Sequence, residues 1–184
     1  MKLKIIITAF AASCLIFSST QAFALFSISV GVTISQSFTA KDADGSKVAE
    51  SDGVSGVFMH ASLPILVGLG VDNYKTKLKD SGGIELATTM YDIFYLLPIP
   101  IINLTIGLGA GSTELLCTTC SAKYDKGKPT QWYASLGVPF FLPFFDMHLS
   151  YRSITSKIAI KAAYGGGEVD LSGNVTGVGI MFSF

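Results

Sequence analysis

The sequence predicts an all-β fold of eight antiparallel strands. Apolar and polar residues alternate along eight segments, which is the period-two pattern of a strand whose two faces meet different surroundings. Short connections that contain proline alternate with longer polar connections, as in an up-and-down meander. Only 14% of the 184 residues are charged and 49% are hydrophobic, whereas soluble domains carry about 25% charged residues. This composition excludes a disordered chain, and the formal net charge of zero excludes a basic nucleic-acid binder.

The N-terminus has the organisation of a secretory signal peptide. Lys2 and Lys4 precede an apolar stretch from Ile5 to Phe17, and small residues precede a cleavage site after Ala24. The apolar stretch is shorter than the about 20 residues of a membrane-spanning helix, which disfavours an N-terminal anchor. We therefore expect residues 1–24 to be cleaved during export and residues 25–184 to form the mature domain.

The strands follow from the alternation in order along the chain. In the first strand, apolar side chains occupy every second position from Phe26 to Ile34, and serine, glycine and threonine lie between them. The later strands repeat this arrangement, and glycines on the polar face leave room for large side chains such as Phe58, Phe94 and Tyr133. The eight predicted strands are 26–35, 57–63, 67–72, 91–97, 102–111, 131–138, 145–152 and 177–184.

Two kinds of connection alternate between these strands. The short ones contain Pro64, then Pro98 and Pro100, then Pro139 and Pro143. Proline marks strand ends because it cannot donate a ladder hydrogen bond. The long ones are polar and charged, and they are residues 39–53, 75–85, 112–129 and 153–172.

The distribution of charge indicates which face of the sheet is outside. After the predicted cleavage, 20 of the 24 charged residues lie in the four long loops. The other four, Asp72, Asp92, Asp146 and Arg152, lie on the polar face, which otherwise holds serine, threonine and glycine. Such a face fits a narrow interior, so the apolar face must meet hydrocarbon. A sheet in a bilayer pairs every backbone group only by closing. The sequence therefore predicts an eight-stranded antiparallel up-and-down transmembrane β-barrel.

Aromatic residues are predicted to form belts at both ends of the barrel, where lipid meets water. One group lies near the short turns and comprises Phe26, Tyr95, Phe145, Phe182 and Phe184. The other group lies nearer the long loops and comprises Phe38, Trp132 and Tyr151.

The last strand carries a terminal pattern. Phe184 ends the chain, and Phe182 and Ile180 lie two and four residues before it. With the signal peptide and the eight strands, this ending resembles small bacterial outer-membrane β-barrels of the OmpA/OmpX-like class. The resemblance implies that these three residues are read by the barrel-assembly machinery. It also implies an outer-membrane location, with membrane lipid as the surroundings.

Polar residues on the inward face are the candidate functional set. Arg152 is the only arginine in the chain, and a buried guanidinium needs carboxylate partners. Asp92 and Asp72 are the expected partners, in a structural network that holds the lumen. The alternative is a constriction that tunes the passage of small ions. The predicted lumen set is Asp72, Asp92, Asp146, His60, His148 and Arg152.

Cys117 and Cys120 lie in the third long loop as a CxxC pair. Such a pair can be a redox site or half of a zinc site. A second CxxC is missing from the sequence, and export leads through an oxidising compartment. A local disulfide is the expected state.

One enzymatic alternative concerns His148 and Ser150. Outer-membrane lipid A deacylases are also eight-stranded barrels with a His-x-Ser pair on one strand, but this pair has inward parity, away from a lipid ester. We therefore expect a structural, envelope or surface-interaction role without catalysis. A narrow solute or ion channel is the first alternative, and lipid A modification is the second. No cofactor, metal or nucleic acid is expected, and a monomer is the expected oligomeric state.

Overall fold

The computed structural model describes residues 26–63, 67–79, 82–97, 99, 102–140 and 142–184. The predicted signal peptide, residues 1–24, lies outside the described residues, as do the turn residues Pro64, Pro98 and Pro100. Within the described part of the chain, no helix is long and apolar enough to cross a membrane.

Eight long strands form a closed antiparallel β-barrel, which confirms the predicted fold class. Each strand pairs with its neighbour in sequence, and the first strand pairs with the last. The barrel strands are β1 (Ser27–Lys41), β2 (Lys47–Ser62), β3 (Val67–Leu78), β4 (Glu85–Leu97), β5 (Asn103–Leu116), β6 (Thr130–Phe140), β7 (Leu142–Thr155) and β10 (Gly173–Ser183).

Smaller elements lie in the two longest connections. The third long connection contains the short helix α1 (Cys120–Lys123). The last contains the hairpin strands β8 (Lys157–Ala159) and β9 (Glu168–Asp170), with a 3₁₀ turn over Ala162–Tyr164 between them. The alternation in the sequence did not indicate these elements, because each is only three or four residues long.

The barrel closes between β1 and β10. Val30 lies opposite Ile180, and Ile28 lies opposite Phe182. The backbone groups of Phe26 and Phe184 extend this pairing with hydrogen bonds of 3.3 and 2.9 Å. The terminal pattern Ile180, Phe182 and Phe184 thus lies on the outward face of the closing strand.

The outer wall of the barrel is apolar and the lumen is polar, as the alternation predicted. Leu69, Tyr91 and Leu108 are 66%, 64% and 65% exposed. Asp72 and Asp92, which have the opposite parity on β3 and β4, are buried. The hydrocarbon-like surface is therefore outside.

A bulge in β1 reverses the parity of its second half. The register shifts between Thr33 and Ser35, so Gln36 and Phe38 point into the barrel although Ile34 is exposed. The prediction that Phe38 joins the outer aromatic belt was therefore wrong. A β-bulge adds one residue to one strand, and this addition inverts the face of every later residue.

The remaining aromatic residues form pairs on the outer wall. Trp132 and Tyr151 lie toward the long loops with ring centroids 5.8 Å apart. Phe145 and Phe182 lie near the short turns with centroids 5.3 Å apart. This arrangement matches the two predicted belts apart from Phe38.

The long connections are shorter than the sequence indicated. Residues 42–46 and 79–84 join β1 to β2 and β3 to β4, and the strands continue into the charged segments on both sides. Lys77 of β3, for example, lies opposite Glu85 of β4. Side chains beyond the apolar band can be charged because they meet water, while the ladder still satisfies the backbone.

Glycines in the lumen are required by the large side chains beside them. A Cβ at Gly68 would lie 2.0 Å from Phe94, and one at Gly107 would lie 2.3 Å from Tyr133. The prediction that glycine rows accommodate these rings is confirmed.

We expect Leu69→Arg to reduce the free energy of unfolding in lipid vesicles by about 2–4 kcal/mol, because it places a cation in the apolar band. Asn73→Arg is the matched control, since Asn73 lies on the same face of β3 but nearer the long loops. Its expected cost is about 0–1 kcal/mol. Urea titration of the refolded variants measures both values, and equal costs would contradict the assignment of the outer face.

Candidate functional site in the barrel lumen

A charged cluster occupies the lumen. Arg152 of β7, Asp72 of β3, Asp92 of β4 and His60 of β2 all point inward and are buried. The structure thus brings together four of the six predicted lumen residues. We refer to these four residues as the charged cluster.

Arg152 binds Asp72 through two hydrogen bonds. Its Nε donates to Asp72 Oδ2 at 2.6 Å, and its Nη2 donates to Asp72 Oδ1 at 3.3 Å. Its Nη1 donates to Ser150 Oγ at 2.6 Å. The guanidinium also lies over the Phe58 ring, 4.5 Å from the centroid. The only arginine of the chain is therefore held by a carboxylate, a hydroxyl and an aromatic face.

Gln131 connects the second carboxylate to this pair. Its Nε2 donates to Asp92 Oδ1 at 2.7 Å and to Asp72 Oδ2 at 3.0 Å. The sequence prediction gave Asp92 and Asp72 as the partners of Arg152, and the structure pairs Arg152 with Asp72. Gln131 was not among the predicted site residues, although its inward parity on β6 was available as a signal.

His60 packs against aromatic rings and faces the two carboxylates. Its Nε2 lies 3.1 Å from Asp72 Oδ1 and 3.9 Å from Asp92 Oδ2. The imidazole stacks on Phe58 and on Tyr133, with ring centroids 5.4 Å away in both cases. This packing fixes the ring plane and aims Nε2 at the carboxylates.

The other two predicted lumen residues lie apart from the charged cluster. His148 contacts two hydroxyls, with Nε2 2.6 Å from Ser29 Oγ and Nδ1 2.9 Å from Ser135 Oγ. Asp146 accepts a hydrogen bond of 2.6 Å from Asn103 Nδ2. Both residues lie nearer the short turns than Arg152 does, since all three share the inward face of β7.

Ser150 and His148 do not form the hydrogen bond expected between a nucleophile and its base. Its Oγ donates to the Gly177 carbonyl at 3.2 Å and accepts from Arg152. Both Ser150 and His148 are buried in the lumen. Ser150 therefore packs around Arg152, and neither Ser150 nor His148 faces the lipid.

A small cavity opens toward the short turns beneath the charged cluster. Its volume is about 30 Å³, which has room for about two water molecules. Hydroxyl and imidazole groups dominate its polar lining, namely Ser27, Ser29, Ser62, Ser135, His60 and His148. His60 therefore borders both the cavity and the carboxylates.

Apolar side chains, together with buried polar ones such as Gln36 and Thr76, fill the lumen on the other side of the charged cluster. Tyr74, Met90, Ile154 and Val175 form one buried group. A second buried group lies at the long-loop end and comprises Phe38, Ala40, Leu86, Ile158 and Leu171. Ile158 and Leu171 come from the last connection, which therefore folds across the mouth of the barrel.

Asp170 helps to hold this last connection in place. Its Oδ1 accepts a hydrogen bond of 2.8 Å from the Ser172 backbone N–H. Partial burial alone would raise the pKa of Asp170, but the hydrogen bonds from Ser172 and the charges of Lys157 and Lys41 outweigh it and lower the pKa. A lowered pKa means that the ionised form stabilises the fold, and this contribution is lost as the pH falls through the folded-state pKa.

The third long connection contains the Cys117–Cys120 disulfide, with Cα atoms 5.1 Å apart. Cys120 is buried and begins α1. The bond closes a local turn beside the barrel mouth.

Two solved structures have a similar architecture, and one of them is described as an outer-membrane protein. OprG from Pseudomonas aeruginosa aligns with a TM-score of 0.56 at 14% identity, over 86% of this chain and 95% of its own. Neisserial surface protein A aligns with a TM-score of 0.58 at 14% identity, over 86% and 97% of the two chains. No protein-family model and no curated protein matches the chain. These likenesses show the fold, that of the small outer-membrane barrels which the sequence resembles.

We expect Arg152→Met to reduce the free energy of unfolding by about 3–5 kcal/mol, because it leaves the buried Asp72 carboxylate without its main partner. Lys157→Ala is the control, since it removes an exposed pair with Glu168 at 3.3 Å and should cost at most about 1 kcal/mol. Urea unfolding in vesicles measures both variants. Similar small losses for the two would show that the buried pair contributes little.

Proposed function

We propose that this chain is an integral outer-membrane β-barrel that does not conduct solutes. The observation that carries the proposal is the filled lumen, in which the Arg152–Asp72 pair is followed by buried apolar side chains toward the long-loop end. An eight-stranded barrel is just wide enough for its interior to be filled by side chains. The polar cavity near the short turns thus ends at the charged cluster.

The outer-membrane location is supported by the apolar outer wall and by the fold. The aromatic pairs at both ends of the wall fit the two lipid–water boundaries. The architecture is shared with OprG, which is described as an outer-membrane protein, and with Neisserial surface protein A. We also propose that residues 1–24 act as the signal peptide for export. We propose further that the assembly machinery recognises Ile180, Phe182 and Phe184.

The long-loop end is the part of the barrel that we propose to act at the cell surface or to support the envelope. It holds most of the charged residues and the disulfide, and its last connection folds over the mouth. We propose no catalytic role, because His148 and Ser150 are buried in the lumen and bind other partners.

We expect the refolded protein to give no discrete conductance steps in a planar bilayer, because the charged cluster and the buried side chains toward the long loops block the lumen. Insertion is verified in parallel by the slower migration of boiled protein on a denaturing gel. Reproducible steps from correctly folded protein would overturn the closed-lumen proposal and favour the channel alternative.

Orientation can be tested with single cysteines at the two ends of the barrel. Ala163 is exposed in the 3₁₀ turn of the last connection, and Ile99 is exposed near a short turn. A membrane-impermeant maleimide should label Ala163→Cys on intact cells and should label Ile99→Cys only after the envelope is broken. The unmodified chain is the background control, since its disulfide does not react. The reverse pattern would place the long loops in the periplasm.

A further inference from the structure

We propose that the charged cluster is a binding site for one divalent cation of the zinc type, held by His60, Asp72 and Asp92. The three candidate ligand atoms come from adjacent strands and all lie within 4.8 Å of one another. The proposal concerns the lumen and does not depend on whether the barrel acts through its loops.

The distances suit a four-coordinate ion. His60 Nε2 lies 3.1 Å from Asp72 Oδ1 and 3.9 Å from Asp92 Oδ2. Zinc bonds to nitrogen and carboxylate oxygen are about 2.0–2.2 Å long, so tetrahedral ligand atoms are separated by about 3.3–3.6 Å. The two separations from His60 lie on both sides of that range and differ from it by a few tenths of an ångström. The two carboxylate oxygens lie within 4.8 Å of each other.

Neighbouring donors orient the two carboxylates for this role. Arg152 Nε and Gln131 Nε2 both donate to Asp72 Oδ2, and Gln131 Nε2 also donates to Asp92 Oδ1. The other oxygen of each carboxylate is thereby turned toward His60. Asp72 Oδ1 receives one further, longer bond of 3.3 Å from Arg152 Nη2. Outer-shell hydrogen bonds of this kind fix metal-ligating carboxylates in proteins.

Three buried polar atoms in and beside the charged cluster are a second observation that favours a bound ion. Asp92 Oδ2, Gln131 Oε1 and the Tyr133 hydroxyl are buried without a hydrogen-bond partner among the described residues. Asp92 and Gln131 are 96% buried, since each is 4% exposed. Such atoms are costly unless an ion or a water binds them.

Charge and access favour a cation. With a neutral imidazole, two carboxylates and one guanidinium give the buried cluster a formal charge of −1, which is unfavourable in a lumen of low dielectric constant. The cavity of about 30 Å³ that His60 borders opens toward the short turns. Of the three proposed ligands, His60 is the one that borders this cavity.

The sequence contained no signal for this site. Its ligands lie 12 and 20 residues apart on three strands, without a metal-binding motif, so the sequence predicted no metal. Strand register brings them together, since Gly70 lies opposite both His60 and Asp92 and thus leaves space between them.

The test uses the refolded full mature chain without a histidine tag, stripped with a chelator and titrated with Zn²⁺ alone. We expect one zinc per barrel by elemental analysis after desalting. His60→Gln and Asp92→Asn should weaken binding by more than the about 10- to 100-fold that loss of an outer-shell partner costs. His148→Gln, which changes the other lumen histidine, should bind like the unmodified chain.

Two outcomes would overturn the proposal. Zinc binding that survives His60→Gln would place the metal elsewhere, and absence of stoichiometric binding would show that the three side chains do not form a zinc site. Gel mobility of unboiled samples shows whether each variant is folded. If the variants fail to fold, Co²⁺ bound to the unmodified chain decides the question. A four-coordinate site absorbs visible light more strongly than hydrated Co²⁺, and a spectrum like that of the hydrated ion would also overturn the proposal.

Discussion

The structure depends on one constraint, which is that every backbone N–H and C=O group in the apolar band must be paired. Water is absent from a bilayer core, so a strand left at an edge would carry a row of unsatisfied groups. The pairing of β1 with β10 removes that edge. Closure in turn divides the side chains into an outer and an inner set, because successive residues of a strand point to opposite faces. The apolar wall and the polar lumen both follow from this division.

The inner set has to fill a narrow space without leaving charges unpaired. Glycine provides the space, as at Gly68 beside Phe94 and Gly107 beside Tyr133. Asp72 neutralises Arg152 at short distance, and Gln131 links Asp92 to the same pair. Aromatic rings thus pack against the charged cluster, and apolar side chains lie between it and the long loops. A lumen of this kind is a packed core with a polar centre, which is the basis for proposing a closed barrel. It is also the place where a bound cation would relieve both the net charge and the unpartnered atoms.

Much of the fold could be predicted because lipid imposes a simple pattern on the sequence. Alternation of Val30 with Ser29 and of Leu108 with Gly109 reports the two faces residue by residue, and the confinement of charge to a few segments reports the ends of the strands. The pattern failed where the local backbone departs from a regular strand. The bulge between Thr33 and Ser35 inverted the face of Phe38, and no residue at this bulge marks it in the sequence. The strands also extend beyond the apolar band, where side chains carry no hydrophobic signal.

The sequence by itself determined the number of barrel strands, their faces outside the bulge in β1, and the inward position of His60, Asp72, Asp92 and Arg152. The faces follow from parity along each strand. Tertiary structure decided which of these residues meet. Inter-strand register joined Asp72 to Arg152, with Gln131 as the link, and kept His148 and Asp146 apart from them. Register is set by closure, by bulges and by packing across the lumen. These are interactions between residues far apart in the chain, and local alternation contains no information about them.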